Sequence, residues 1–335
     1  MRISERRVLR ILPASGVLAL LCLGPGSVPG AFGQSLDIPA KTWGVSFGNS
    51  KVFTGLRFNF RDSRVERVTG VNITLWRPRK DDKDAVVTGM SLGLGPGGGR
   101  LRGVQIGLLG AGADKSMKGL NIGGLGVGAG EDLIGISVGG LGLGAGDDVK
   151  GIAIGGLGLG AGKDLKGIAI GGLGAGCGET FKGIGVGGLG VGAGDDLKGI
   201  FVGGLGVGCG GTLGGVAVGG LGAGAGERIE GLVVCGLAAG APEIRGCVIG
   251  GIGAGGKDLK GAFIGAAMIR LEKGGRLSGL AVSSFNHLRG TLNGLSIGLV
   301  NYAWTVEKGL QIGIVNIIRA NPKALRVLPV FNTRF

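Results

Sequence analysis

Aspartate side chains recur at a fixed spacing in the middle of the chain, and they are the first groups there that could bind a cation. They are Asp132, Asp148, Asp164 and Asp196, each in a polar turn between glycine-rich segments. Lysines recur in the same turns, at Lys150, Lys166, Lys182 and Lys198. If the turns stack, carboxylates and ammonium groups form two neighbouring columns that neutralise each other on a solvated surface. We favour this interpretation, and a ladder of bound cations is the alternative.

One of these turns partly matches a calcium-binding repeat. The string Gly160-x-Gly162-x-Asp164-Leu165 shares glycines and an aspartate with the nonapeptide GGxGxDxUx. Here, however, the aspartate directly precedes the leucine, whereas the calcium repeat has one residue between them, and the period also differs. We therefore predict no metal site.

The cysteines and the single histidine do not form a reactive cluster. Cys177 and Cys209 stand where other units have alanine, which predicts small buried side chains. They are two units apart, about 9–10 Å in a stacked arrangement, which is too far for a disulfide. Cys235 and Cys247 occupy other positions in their units, so no Cys/His pattern predicts zinc. His287 has neither a nucleophile nor a second ligand beside it in the sequence, and we predict no catalytic role for it.

The string GLGAG resembles the glycine loop of dinucleotide-binding proteins in its spacing alone. Similar strings occur throughout the repeat, and no helical pattern follows them as a Rossmann unit requires. We therefore predict no catalytic, cofactor-binding or metal-binding residues, and a protein that is not an enzyme.

The elements that carry these residues belong to a sixteen-residue repeat. A glycine opens each unit, with looser spacing toward both ends of the chain. The opening glycines are Gly55, Gly70, Gly89, Gly103, Gly119, Gly135, Gly151, Gly167, Gly183, Gly199, Gly215, Gly231, Gly246, Gly261, Gly279, Gly294 and Gly309. Glycine accounts for 83 of 335 residues, yet the mean hydropathy is +0.43, so a core of small and aliphatic residues is expected.

The unit from Gly151 to Lys166, GIAIGGLGLGAGKDLK, indicates two short strands joined at a glycine corner. Its isoleucines, Ile152 and Ile154, are expected to stack on equivalent residues in a narrow dry core. The apolar residue of the polar turn, Leu165, is expected to point inward in every copy. Equivalent residues are Met117, Leu133, Val149, Phe181, Leu197, Leu213, Ile229 and Leu259.

A left-handed backbone is expected at a second position of the unit. C-terminal copies carry Asn301 and Asn316 at the position aligned with Gly158 and Gly190 of central copies. Asparagine and glycine both tolerate positive φ, which predicts a left-handed corner there.

This repeat predicts an all-β protein, either a β-solenoid with one coil per unit or an array of one hairpin per unit. The alternative is an outer-membrane β-barrel with one strand per unit, for which the terminal Phe335 on an alternating strand is typical. Too few aromatic residues for two girdles and the lack of alternating polar lumen residues favour the solenoid or hairpin array.

The N-terminus has the order of a secretory signal. Four arginines precede an apolar run, and small residues follow, which predicts a signal peptide over residues 1–33. Lipidation at Cys22 is a less favoured alternative, because bulky residues precede it. The mature chain then divides into a basic segment of degenerate repeats (34–102), a regular repeat region (103–261), and a C-terminal segment of degenerate repeats with a cap (262–335).

Charge is distributed unevenly among these segments. Residues 34–102 have twelve basic and six acidic side chains, and residues 262–335 have nine and two, whereas residues 103–261 have eleven and thirteen. Basic ends on an exported protein predict contact with the outer membrane or lipopolysaccharide, and nucleic acid is not an expected partner.

The closing run GLSIGLVNYAWTVEKGLQIGIVNIIRANPKALRVLPVFNTRF, together with upstream units of the SIGGLGVGAG type, resembles an uncharacterised family of bacterial surface-repeat proteins built on GLxIGLxN units. The resemblance covers about residues 85–335. It implies an exported envelope or surface protein and supplies no functional residues. The expected function is thus a non-enzymatic structural or interaction protein of the cell envelope, with an outer-membrane pore or transport barrel as the alternative.

Overall fold

The computed structural model describes residues 35–78 and 83–334. The predicted signal peptide, Cys22 and Phe335 lie outside these residues. Regular structure within them is entirely β apart from one 3-10 turn, Lys323–Leu325. Over the same residues there is no helix with the length and apolar character needed to cross a membrane.

The strands fall into three groups along the chain. The N-terminal group comprises β1 (Ser35–Ala40), β2 (Trp43–Gly48), β3 (Val52–Arg61), β4 (Arg67–Trp76), β5 (Val86–Gly93), β6 (Gly97–Gly107) and β7 (Gly110–Gly123). The middle group comprises β8 (Gly126–Ala129), β9 (Leu133–Gly139), β10 (Gly142–Ala145), β11 (Val149–Gly155), β12 (Gly158–Ala161), β13 (Leu165–Gly171), β14 (Gly174–Cys177), β15 (Phe181–Gly187), β16 (Gly190–Ala193), β17 (Leu197–Gly203), β18 (Gly206–Cys209), β19 (Thr212–Gly219), β20 (Gly222–Ala225), β21 (Arg228–Cys235), β22 (Ala238–Gly240) and β23 (Glu243–Gly250). The C-terminal group comprises β24 (Gly253–Gly265), β25 (Met268–Val282), β26 (Phe285–Ile297), β27 (Val300–Ile318) and β28 (Val327–Asn332).

Each sixteen-residue unit is one coil of a β-solenoid. In the middle group a long and a short strand alternate, and each pairs in parallel with its counterpart one unit away. The long strand β13, for example, places Leu165 beside Phe181 and Ile168 beside Ile184. The solenoid interpretation of the repeat is confirmed, with two strands in each regular coil.

The opening glycines form one column through the whole solenoid, from Gly55 to Gly309. Gly151 has φ of 118°, and a Cβ added to it would strike the carbonyl oxygen of Gly135 in the preceding coil. A side chain is therefore excluded by both backbone conformation and space.

The prediction of a left-handed backbone at a second position of the unit is wrong. Neither Asn301 nor Asn316 has positive φ, and Gly158 has an ordinary backbone as well. In the paired strands Asn301 lies beside Asn286, and Asn286 lies beside Ile269, which is fully buried. The asparagines thus replace core aliphatic residues rather than corner glycines.

The interior is filled by residues of the turn and of both strands. Leu165 and the eight equivalent residues named above are all fully or almost fully buried, which confirms their predicted inward orientation. Ala153 is fully buried on the long strand, and Leu159 is buried on the short strand. The interior is narrow, so a large side chain in one coil requires a small one nearby. The rings of Phe181 and Phe201 lie 5.0 Å apart, and a Cβ added to Gly185 would lie 2.7 Å from the first ring and 2.9 Å from the second.

The predicted isoleucine core is wrong. Ile152 and Ile154 do stack on their equivalents, but they lie on the outside and are 37% and 36% exposed. Side chains along a strand point alternately to its two sides, and the inward Leu165 at the start of β13 determines which of the following residues point inward. Gly167, Ala169 and Gly171 therefore follow it inward, and the isoleucines between them point out.

An antiparallel strand closes each end of the solenoid. At the N-terminus β1 pairs antiparallel with β2, and at the C-terminus β28 pairs antiparallel with β27. Each capping strand carries a proline, Pro39 and Pro329, which cannot donate to a further strand. Each cap thus covers the edge of the outermost coil, and its proline removes one donor from the edge that a further strand would meet.

Candidate functional site

Three columns of aliphatic side chains cover the outside of the long strands and the bend that follows them. The first column includes Ile136, Ile152, Ile168, Ile184, Ile200 and Leu232, and the second includes Val138, Ile154, Ile170, Val186, Val202, Val218, Ile249 and Ile264. The third consists of Leu109, Leu125, Leu141, Leu157, Leu173, Leu189, Leu205, Leu221, Leu237 and Ile252 at the bend. We call these three columns the aliphatic face.

The backbone holds this face in register. Isoleucines of the first column belong to paired parallel strands, so each lies beside its equivalent in the next coil. At the bend, the amide of Leu157 donates to the carbonyl of Leu141 at 2.6 Å, and the same bond recurs from coil to coil. Because β-branched residues on a strand have few rotamers, the face loses little side-chain entropy when it is covered.

Exposure on this scale is unusual for a soluble monomer. Side chains of the third column are about half exposed, as at Leu157 with 51%. Monomeric proteins rarely expose a contiguous apolar patch above a few hundred Å² unless it is an interaction site. The aliphatic face extends over many coils, so it is the feature of the fold that calls for a functional explanation.

The C-terminal end of the face is concave. A groove of about 720 Å³ lies between the last coils and β28, and its lining includes Ile297, Ile312, Leu299, Ile314 and Val330. Residues of the second and third columns thus meet in one apolar depression.

A rim of paired charges borders the face. Lys150, two residues before Ile152 on the same outward side, donates to Asp148 at 2.7 Å, and the same pair forms between Lys166 and Asp164 and between Lys198 and Asp196. The hydrogen bond from Lys150 lowers the pKa of Asp148, and the bond to Asp148 raises the pKa of Lys150. These pairs support the predicted neutralisation of the two columns.

The aspartates also connect successive turns. Oδ1 of Asp164 accepts the backbone amide of Thr180 at 3.2 Å, and Oδ1 of Asp196 accepts that of Thr212 at 2.8 Å. Hydrogen bonds from Lys166 and Lys198 are the main causes that lower the pKa of Asp164 and the pKa of Asp196. The charge of Lys182, whose own coil has Thr180 in place of an aspartate, lowers both further. Over residues 35–78 and 83–334 no group of three or more His, Cys, Asp or Glu side chains is placed to hold a metal ion.

The two column cysteines, which were predicted to be buried, are only partly buried. Cys177 lies between Ala161 and Ala193 in the short-strand column and packs against the core while remaining partly exposed, as does Cys209. Burial raises the pKa of Cys177 to about 11, so its thiol is protonated and unreactive at neutral pH. Cys235 is buried, and all four described cysteines are free thiols.

His287 lies in a short aromatic stack on another outward column. Its ring centroid is 5.3 Å from Phe285 and 5.3 Å from Tyr302. Burial and the charges of Arg289 and Arg270 lower its pKa, which favours the neutral imidazole. The geometry assigns the ring a packing contact.

The N-terminal coils contain a buried charged network that was not predicted from the sequence. The side chain of Arg57 is fully buried, with Nη1 2.6 Å from Oδ1 of Asp62 and 2.8 Å from Oδ1 of Asn72, and Nη2 3.0 Å from Oδ1 of Asn49. A sequence signal exists, since the second residue after each opening glycine is polar in these copies. The series runs Arg57, Asn72, Ser91, Gln105, Asn121 and Ser137 before it changes to Ala153.

The C-terminal coils contain a second buried polar column. Nδ2 of Asn286 donates to Oδ1 of Asn301, whose own Nδ2 donates to Oδ1 of Asn316, both at 2.8 Å. All three side chains are fully buried. This asparagine ladder fixes the register of the last coils, because a shift by one coil would leave an amide unpaired.

Comparison of the chain with protein-family models, with curated proteins and with solved structures gave no match.

Proposed function

We propose that this chain is a non-enzymatic structural or interaction protein of the cell envelope, a β-solenoid rod that binds through its aliphatic face. The observation that carries the proposal is the exposure of aligned isoleucine, valine and leucine columns over successive coils. Aliphatic side chains supply no acid, base or nucleophile, but their removal from water favours association.

The location rests on the N-terminal segment and on composition. Arginines followed by an apolar run and small residues are typical of a cleaved export signal, and the C-terminal resemblance implies a surface protein. The basic excess of residues 34–102 and 262–335 supports contact of the two ends with phosphate-bearing lipid or lipopolysaccharide. In this arrangement the ends hold the rod at the membrane and the neutral middle presents the face.

Export is tested by expression of the full chain in a Gram-negative host, followed by fractionation and N-terminal sequencing. The proposal expects cleavage near Gly33–Gln34 and recovery in the envelope. The variant Leu20→Arg, which interrupts the apolar run, should remain uncleaved in the cytoplasm. Recovery of the unaltered chain uncleaved in the cytoplasm would contradict the envelope location.

The role of the face is tested by a triple variant, Ile136→Thr, Ile152→Thr and Ile184→Thr, with the same three positions changed to Val as the matched control. Valine and threonine have the same shape and both favour strands, so the two variants differ in polarity alone. In intact cells treated with a chemical cross-linker, the Val variant should be recovered in adducts larger than the single chain, and the Thr variant should be recovered mainly as the single chain. Equal cross-linking of the two variants would contradict an interaction role for the face.

A further inference from the structure

We propose that the partner of the aliphatic face is a second copy of this chain, so that two solenoids pack side by side, face against face. The inference rests on the proposed function, since it names the occupant of the same surface. Three features of the molecule carry it: the closed ends, the size of the face and its regular spacing.

Because both ends of the solenoid are capped, self-association is expected along its side. β1 and β28 cover the first and last coils in antiparallel pairing. Pro39 and Pro329 lie in these outermost strands and interrupt the row of donors that a further strand would need. The ends thus disfavour addition of another chain end to end, and the exposed apolar surface runs along the side.

The face has the size of a stable interface. Its second column runs from Val138 to Ile312 over twelve coils joined by eleven pairings, about 53 Å at the usual strand separation of about 4.8 Å. Two outward residues of a strand are about 7 Å apart, and with the breadth of the side chains the first two columns are roughly 12 Å wide. The resulting area of roughly 640 Å², to which the third column adds, is close to the ~800 Å² that each partner buries in a standard protein interface.

The spacing of the columns matches that of a second copy. Side chains of one column, such as Ile152, Ile168 and Ile184, repeat at the strand separation. Ridges of one face fit between ridges of another when the two repeats are equal, as in the dry interfaces of paired parallel sheets. Another copy of this chain has the same repeat by construction, whereas a lipid surface has none.

The charges along the rim permit this contact. Lys150, Lys166 and Lys198 are each paired with an aspartate of their own coil, so the rim of each copy is locally neutral. Residues 103–261 have nearly equal numbers of basic and acidic side chains. Two copies therefore bring an apolar centre and a neutral polar rim together, the usual composition of an interface.

Sedimentation velocity of the mature chain, residues 34–335, over a range of concentrations tests the proposal. We expect a monomer–dimer equilibrium that high salt does not weaken, because apolar contacts are not screened. The Thr triple variant should raise the dissociation constant at least about tenfold, because its hydroxyls are buried without partners, and the Val triple variant should dimerise like the unaltered chain. Circular dichroism and thermal melting of each variant confirm that the solenoid is intact.

A chain that remains monomeric at every concentration, or a Thr variant that dimerises as tightly as the Val variant, overturns the proposal. Binding of the monomer to vesicles of neutral phosphatidylcholine then shows whether the face contacts lipid instead of a second copy. If monomers bind them through isoleucines that the Thr variant lacks, the occupant is lipid and the interaction function stands. If monomers do not bind them and the Thr variant is cross-linked in cells as fully as the Val variant, both the dimer and the proposed function fail.

Discussion

At the scale of single residues, glycine serves two different purposes within one coil. Gly151 has a backbone conformation open to glycine alone, and its missing side chain leaves room for the carbonyl of Gly135. Gly160, on the outer side of the short strand, has an ordinary backbone, and an added Cβ would lie 3.9 Å from the carbonyl oxygen of Gly176. The fold requires the first glycine and merely tolerates the second.

Gly151→Ala and Gly160→Ala should accordingly differ in their effect on stability. The first variant should destabilise its coil by about 2–3 kcal/mol through backbone strain. The second should stabilise it by roughly 0.5–1 kcal/mol, because alanine restricts the unfolded chain. Hydrogen exchange of amides in residues 135–183 measures both effects, since long repeat arrays do not unfold in a single step. Equal protection in the two variants would show that the glycine column is not a backbone requirement.

Cys177 gives a prediction for pH. Burial raises the pKa of its thiol from 9.0 to about 11, so the folded state keeps a proton that the unfolded state loses. The contribution of this thiol to stability is therefore present below about pH 9 and is lost as the pH rises toward 11. In residues 34–335 with Cys209→Ala, Cys235→Ala and Cys247→Ala, which retain Cys177 as the single thiol, alkylation of Cys177 by iodoacetamide should be slow at pH 7.5 and accelerate over that range. An alkylation rate at pH 7.5 equal to that of the urea-unfolded chain would contradict the raised pKa of Cys177.

At the scale of elements, the capping strands determine how the solenoid ends. β28 pairs antiparallel with β27, and Asn332 donates through Nδ2 to the backbone carbonyl of Asn316 at 3.1 Å. The cap is thus held by backbone pairing and by the end of the asparagine ladder.

A chain that ends at Ala320 should associate end to end. Loss of β28 exposes the backbone donors and acceptors of β27, which offers a parallel edge to another chain. Electron microscopy and sedimentation should show assemblies longer than those of the full chain, and their growth should depend on concentration. A truncated chain with the same size distribution as the full chain would show that β28 does not protect the edge.

Much of this element structure is predictable from the sequence, and the exception is informative. The glycine period places every coil, and the isolated apolar residue of the turn, such as Leu165, correctly points inward. The orientation of Ile152 was predicted wrongly. Alternation of side chains along a strand defines two faces, but it does not determine which of them is buried. Only the opposing short strand decides: Leu159 and the turn leucine fill the narrow interior, so the long strand contributes Ala153 and the larger isoleucine is left outside.

The buried Arg57 was missed for a related reason. An arginine on a strand is ordinarily taken as exposed, and burial of its charge requires a partner that the local pattern does not identify. Asp62 supplies that partner from the connection after β3, beyond the strand's own alternation. Which residues form the exposed aliphatic face and the buried polar columns is thus determined by contacts between strands, and these contacts cannot be predicted from a single sequence.

At the scale of the whole molecule, the coils are nearly interchangeable. In register, Val149 lies beside Leu165, and Leu165 beside Phe181, so each coil presents its neighbours with equivalent contacts. Stability in such an array is approximately the sum of the stabilities of single coils and of the contacts between neighbours.

Deletion of one complete coil, residues 151–166, should therefore leave a folded protein that is shorter by about 5 Å. The coil before the deletion then stacks on the coil after it, with Gly135 beside Gly167. Deletion of half a coil, residues 151–158, places short-strand residues against a long strand and should abolish folding of the middle region. Small-angle scattering gives the length and circular dichroism the strand content. Similar losses from both deletions would contradict the equivalence of the coils.

The in-register identity of neighbouring coils also bears on how the gene can change. Unequal crossing-over between DNA segments that each encode one coil inserts or removes whole units and leaves every remaining strand with a suitable neighbour. Rod length is then a trait that varies in discrete increments among descendants, whereas the two terminal segments, with their caps and buried polar columns, must be inherited intact.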